Sequence, residues 1–214
     1  MSIGGITRQG TEKRLKTPPE NAKFALKRVT DVVANVIGKR RRCLGEIEMG
    51  VEISKTYKQE IPALRFIGKK GLNWDAWWQN GWFDLLEKKI DEKFKAEYED
   101  WNAYLGFMKV DKYGSFDYWV GMLLPENTPV PEGFEHYDFP KGTLGVCWAS
   151  GKEDEVIGFH GRSFGCKKIL EEQGHKIQYN TDGSYWYFER DQCPRFTTPD
   201  EKGNVIADVC YFIE

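Results

Sequence analysis

From Val51 onward the chain alternates between two hydrophobic rhythms, period two and period three to four, and it runs through the same series twice. In the first pass, an extended segment containing Ile61-Pro62-Ala63-Leu64-Arg65-Phe66-Ile67-Gly68 leads to a helix from about Trp74 to Phe94. A hairpin follows, with strands near 102–110 and 115–124 and Asp111-Lys112-Tyr113-Gly114 as its turn. In the second pass, the runs 134–140 and 143–148 are extended, Phe164 to Gln173 is helical and ended by Gly174, and strands at 184–190 and 205–213 close the unit. Pro125, Pro129 and Pro131 fall in a linker that can belong to neither a helix nor a central strand. The expected fold class is α+β: two pseudo-symmetric strand-helix-strand-strand repeats, about 50–124 and 134–214, forming a largely antiparallel sheet. Both helices are expected on one face, with a cleft between the repeats.

Within this pattern Tyr185-Trp186-Tyr187-Phe188-Glu189-Arg190 places a carboxylate in a stretch that otherwise reads as buried. Alternation puts Tyr185, Tyr187 and Glu189 on one face and Trp186, Phe188 and Arg190 on the other. A buried carboxylate is costly to keep ionised without a partner. Glu189 therefore either pairs with Arg190, Arg195 or a lysine of its own chain, or meets a cation from outside. Tyr118, Trp119, Trp148 and Tyr211 also fall on expected strands. A sheet face that was merely solvated would be polar, so these rings point to a partly apolar cleft near the seam between repeats. Trp74, Trp78 and Trp82 recur at intervals of four, which on one continuous helix makes a stripe for core packing and, in the minority, a roof for a ligand.

Composition changes the picture at the N-terminus. The whole chain of 214 residues carries a formal charge of -2, with 40 % hydrophobic and 14 % aromatic residues, enough to bury a core. Residues 1–45 hold eleven basic and three acidic side chains, a charge of +8, which leaves -10 for the rest. Thr17-Pro18-Pro19-Glu20 is a helix entry, and Leu26, Val29, Val33, Val36 and Ile37 recur at helical spacing up to Lys39-Arg40-Arg41-Arg42. The expected organisation is a basic segment with one amphipathic helix at 1–47 and a second unit at 48–214. One helix is not a helix-turn-helix, and basic residues at its end also suit the helix dipole. Docking or self-association is the better reading of the head. Nucleic acid would be met by the head and not by 48–214, and a second copy of the chain is a candidate partner.

Several chemistries lack their residues. No apolar run reaches the roughly 20 residues of a membrane span, and Met1-Ser2-Ile3-Gly4-Gly5 lacks the order of a secretion signal, so a cytoplasmic protein without membrane partners is expected. Cys43, Cys147, Cys166, Cys193 and Cys210 show no paired spacing, and His136, His160 and His175 share no ligand spacing, so no metal and no cofactor are expected. Gly161-Arg162-Ser163-Phe164-Gly165 matches a nucleophile elbow in letters, but only His175 follows it and no parallel α/β pattern surrounds it. The glycines there suit a helix entry, with Ser163 as its N-cap.

Taken together, Val51-Glu52-Ile53, Ile61-Pro62-Ala63-Leu64-Arg65-Phe66, Phe116-Asp117-Tyr118-Trp119-Val120-Gly121-Met122, Val130-Pro131-Glu132-Gly133-Phe134-Glu135, Phe139-Pro140-Lys141-Gly142-Thr143-Leu144-Gly145-Val146, Tyr187-Phe188-Glu189-Arg190 and Tyr211-Phe212-Ile213 are, in this order and spacing, similar to the GyrI-like effector-binding family. That is the small-molecule domain that ends some AraC-type and MerR-type regulators and also occurs alone. The resemblance spans about 48–214. It implies a pair of strand-helix-strand-strand units with an aromatic ligand cleft between them, and Glu189 as the acid that meets lipophilic cations. Two departures limit it: residues 1–45 show no DNA-reading motif, and Arg190 stands where many members carry an aromatic, so a cation is expected beside the site.

The leading expectation is a non-enzymatic, stand-alone binding module for hydrophobic, cationic aromatic molecules, with Glu189, Tyr187, Tyr185, Trp148, Phe66, Tyr118 and Trp119 as ligand-binding residues. A second reading is a hydrolase of electrophilic, cyclopropane-type genotoxins, in which Glu189 activates water and Tyr187 or Tyr185 holds the leaving oxygen. A third, from the family's name-giving member, is inhibition of a topoisomerase by surface contact.

Overall fold

The computed structural model describes residues 51–157, 160–191 and 194–214. The amphipathic helix expected before residue 47 lies outside them. Eight strands are formed: β1 (Glu52–Ile61), β2 (Leu64–Lys70), β3 (Leu105–Val110), β4 (Phe116–Pro125), β5 (Glu135–Phe139), β6 (Gly142–Lys152), β7 (Tyr185–Arg190) and β8 (Asn204–Ile213). They make one antiparallel sheet in the order β1-β6-β8-β7-β3-β4-β2-β5. The fold is α+β. The sheet reads outward from its centre as β7-β8-β6 on one side and β3-β4-β2 on the other, so the two repeats meet along β3 and β7. Each outermost strand comes from the opposite repeat: β1 lies against β6, and β5 against β2.

The helix expected over 74–94 is three short helices, α1 (Trp74–Gln79), α2 (Trp82–Glu87) and α3 (Glu92–Glu97). Gly81 breaks the first from the second. It sits at φ +64°, a left-handed conformation that glycine takes without a steric penalty. The stripe expected along one helix at Trp74, Trp78 and Trp82 is therefore interrupted before Trp82. In the second repeat α4 (Glu153–Ile157) precedes α5 (His160–Glu172), and α6 (Pro194–Thr197) lies between β7 and β8. Because α5 begins at His160, Ser163 falls inside the helix and not at its cap. Gly174 follows its end at φ +85°, as the glycine stop predicts.

Strand alternation gives the sheet two unlike faces. One, the tyrosine face, carries two helix-covered patches. Cys166 and Leu170 of α5 pack with Cys147, Tyr185, Tyr187, Val209 and Tyr211. Trp77, Phe83 and Leu86 of α1 and α2 pack with Ile67, Val120, Met122 and Leu124. The other face gathers Phe66, Phe107, Trp119, Val146, Phe188 and Phe212, with Phe94 and Tyr98 from α3 and the residue after it.

Rolling of the sheet closes this second face on itself. Three strands separate β5 from β7, which in a flat sheet would hold them about 19 Å apart. Yet the rings of Tyr137 and Trp186 are 4.6 Å apart, and Phe139 of β5 stacks on Phe212 of β8 at 4.5 Å. The face holding Phe66 and Trp119 is thus the inside of a curl, filled by aromatic core.

Candidate functional site

β7 runs through the middle of the sheet, and the turn before it is tightly fixed. Asn180 N donates to Ser184 O at 2.7 Å, and the Asp182 carboxylate accepts from the Ser184 amide at 2.8 Å and from its hydroxyl at 2.5 Å. From there the alternation of Tyr185, Tyr187 and Glu189 is held by register: Glu189 pairs with Gly106 of β3 and Val209 of β8, and Tyr187 with Met108 and Tyr211. All three side chains point to the tyrosine face. Tyr187 stacks on Tyr211 at 5.2 Å with planes 14° apart, and Tyr185 lies 6.1 Å from the same ring.

Glu189 is 8 % exposed. Its cross-strand neighbour Val209 belongs to the α5 patch, while Gly106 is paired on its far side with Val120 of the α1/α2 patch. The carboxylate therefore sits at the seam between the two patches. Tyr118 spans that seam, packing against both. Trp74 Nε1, at the start of α1, donates to the Tyr118 hydroxyl at 3.3 Å. Beyond it, Tyr104 donates to Glu87 of α2.

The electrostatics of this face follow from its dryness. The Tyr211 phenol is pushed far above the ordinary tyrosine range, chiefly by burial, then by the neighbouring Tyr187, Tyr185 and Cys166 groups and the Glu189 carboxylate. Tyr185 is raised as well, by burial against the opposing pull of Lys167. Tyr185 and Tyr211 thus stay neutral and offer rings and hydroxyls to whatever shares the face with Glu189.

Of the expected site residues, Glu189, Tyr187, Tyr185 and Tyr118 share the tyrosine face. Phe66, Trp119 and Trp148 lie on the opposite, inner face, so they cannot wall one pocket together with Glu189. Phe66 is fully buried and stacks on Phe107 at 4.3 Å. Trp119 donates its Nε1 to Glu135 at 2.7 Å. Trp148 meets Tyr57 edge-on at 6.3 Å, with Lys55 Nζ over its ring at 4.3 Å. Successive residues of a strand face opposite ways, and Trp119 follows Tyr118 directly, so the two cannot share a face.

Arg190 is also not beside the site. Alternation sends it to the inner face, where it pairs with Asp208 at 3.0 Å and with Asp100, and donates to Gln59 at 2.9 Å. Gly106 is not among the residues the sequence pattern singles out, whereas Tyr211 enters there as one of the cleft rings and Trp74 as part of a stripe that could roof a ligand. A lone glycine inside an apolar strand, a sign of close approach, was the available signal for Gly106. Among the described residues no group of three or more His, Cys, Asp or Glu side chains could hold a metal ion, and no helix is long and apolar enough to cross a membrane.

No family model matches the chain, and no curated protein matches it in sequence. Solved structures do resemble it. The SAV2435 protein bound to tetraphenylphosphonium is 14 % identical with a TM-score of 0.49, over 75 % of this chain and 94 % of that one. A Staphylococcus aureus protein provisionally described as a bacterial transcription regulation protein is 14 % identical with a TM-score of 0.48, over 75 % and 98 % of the two chains. The C-terminal domain of EcmrR is 10 % identical with a TM-score of 0.45, over 75 % and 97 %.

Proposed function

We propose that residues 48–214 form a binding module for hydrophobic aromatic cations, with Glu189 as the counter-charge and Tyr185, Tyr187, Tyr118 and Tyr211 as the surrounding rings. The reading is carried by one observation: a carboxylate only 8 % exposed lies among tyrosines at the seam between two helix-covered patches, opposite a glycine. A lipophilic cation entering there gains a charge-assisted contact in a medium where it is strong. Each tyrosine face adds about 0.5 to 2 kcal/mol of cation–π attraction. A neutral molecule of the same shape gains the ring contacts alone.

The test is a titration followed by intrinsic tryptophan fluorescence, with tetraphenylphosphonium as the cation and triphenylphosphine oxide as a neutral comparison. The wild-type protein is expected to bind the cation, and Glu189→Gln to weaken it at least about tenfold while barely changing the neutral compound. Equal cation affinity in the two proteins overturns the role of Glu189.

A further inference from the structure

One end of the curl holds another carboxylate set among rings, on the face opposite Glu189. Glu135, Tyr137 and Phe139 alternate onto the inner side of β5, where Glu135 is in register with Gly68 of β2 and Tyr137 with Phe66. Glu135 is exposed, yet its carboxylate is held in place. Its Oε2 accepts from Trp119 Nε1 at 2.7 Å and from the Tyr137 hydroxyl at 3.3 Å. Two donors fill that oxygen, so Oε1 carries the acceptor capacity that remains. Burial, and then Glu135 itself, push the Tyr137 phenol up to about 12, so it stays a neutral donor.

The neighbouring charges are matched, and Glu135 is left over. Lys70 meets Asp117 at 2.8 Å, and Lys109 meets Asp182 at 3.3 Å. Both lysines lean over rings of this rim, Lys70 at 5.4 Å from Trp119 and Lys109 at 5.6 Å from Trp186. With these pairs neutralised, the negative charge of the rim rests on Glu135, and none of the ion pairs among the described residues includes it. Beside it two half-buried rings, Tyr137 and Trp186, lie 4.6 Å apart and bring β5 against β7. The rim thus offers an oriented acceptor next to partly open aromatic surface.

We propose that Glu135, Tyr137 and Trp186 form a further binding site, for a small primary amine on an aromatic stem. The ammonium donates to Glu135 Oε1, and the ring of the stem lies against Trp186 and Tyr137. A compact ammonium suits a carboxylate with one oxygen left open. A guanidinium fork would seek both oxygens, and a quaternary cation has no N–H to give. The site shares no residue with the Glu189 reading and does not depend on it.

Proton–nitrogen NMR of the indole groups in the full chain tests the site, with phenethylamine as the probe. The Trp119 and Trp186 signals, identified by their loss in Trp119→Phe and Trp186→Phe, should shift and saturate. Phenethyl alcohol keeps the ring without the charge and should bind at least about tenfold more weakly, as should the amine in Glu135→Gln. The glutamine still accepts from Trp119, so that loss reads the charge and not the fold. Trp186→Leu, read at Trp119, should weaken the amine several-fold. Equal binding of the alcohol, full affinity in Glu135→Gln or in Trp186→Leu, or no shift at about 10 mM amine overturns the proposal. N-acetyl-lysine amide, standing for a lysine of another protein, carries the ammonium without the ring and should bind several-fold less well. If it bound as well as phenethylamine, the rim would be a protein-docking surface and the small-amine site would fall. Glu189→Gln should leave the amine affinity unchanged, and excess tetraphenylphosphonium should not displace the amine. Loss of amine binding in either case would put the amine on the tyrosine face and overturn this site, whereas failure of tetraphenylphosphonium to bind would leave it standing and remove only the Glu189 reading.

Discussion

Arg190 Nη2 lies 3.0 Å from Asp208 Oδ2, and neither side chain has any exposed surface. The pair is the centre of a small charge cluster that also takes in Asp100, Gln59 and Arg195, whose Nε donates to Asp208 at 2.8 Å. Burial disfavours the arginine charge, yet the surrounding Cys210, Tyr98, Asp208 and Asp100 groups hold its pKa well above the usual value. The cluster ties β7 to β8, to β1 and to the segment after α3, all on the face away from Glu189. Breaking a buried pair by removing one partner strands the other charge. Asp208→Asn should therefore cost about 3 to 5 kcal/mol in urea unfolding. The double replacement Arg190→Met with Asp208→Leu should recover most of that loss. A single-variant cost below about 1 kcal/mol would contradict the account.

The same geometry separates stability from binding within one dipeptide. Arg190→Met should lower stability and leave the affinity for an aromatic cation within about twofold, because its side chain faces the inner core. Glu189→Gln should do the reverse. If Arg190→Met changed cation binding tenfold with the fold intact, the two faces would not be independent.

Tyr57, Tyr98, Tyr137, Tyr185 and Tyr211 all have raised pKa values, in each case chiefly from burial, with Tyr57 and Tyr137 pushed up to about 12. In the unfolded chain they ionise near 10. The stability that these groups contribute is fully present below pH 10 and is lost as pH rises from there through 12. Tyrosinate absorbance in the ultraviolet should therefore show these buried tyrosines ionising in a steep step above pH 10 that coincides with loss of circular dichroism. Smooth titration of every tyrosine near pH 10, with the fold retained, would refute this.

What could be read from the sequence follows the strength of each local signal. Two-residue periodicity identified β3, β4, β7 and β8, because a half-turn slip would move every ring on those strands to the wrong face. It also placed Tyr187 and Glu189 together. The break in the first helix had its sign in Asn80-Gly81, a pair that favours turns, but four tryptophans in nine residues imposed a stronger helical rhythm. Periodicity alone does not reveal curl. Nothing in the spacing of Tyr137 or Phe139 tells that β5 bends back over β7 and β8, and so Phe66 and Trp119 read as cleft walls when they are core.

Gly81 offers a direct check on that break. With φ at +64°, an alanine there must adopt a conformation that costs about 1 to 2 kcal/mol. No heavy atom lies within 4 Å of where its Cβ would stand, so the cost is backbone strain and not a clash. Gly81→Ala should lower the thermal midpoint by several degrees, whereas an unchanged or higher midpoint would mean that α1 and α2 can run together.

The turn that launches β7 predicts a pH effect of the opposite sign. Asp182 is held down at about 2, first by the Ser184 hydroxyl, then by the Ser184 amide, with Lys109 Nζ 3.3 Å away. A carboxylate whose pKa is depressed by folding stabilises above its unfolded value near 3.9, and the contribution is lost as pH falls from there to about 2. Ser184→Ala removes the first of those bonds, so carboxyl-carbon NMR should show the Asp182 midpoint move up toward its unfolded value. The amide protection of Tyr185 and Trp186 should fall with it, since Asn180 and Ser184 close the turn ahead of β7. An Asp182 midpoint that stays near 2 in Ser184→Ala would assign the shift to the residue 184 amide and Lys109, and the launching turn would then not depend on the serine hydroxyl.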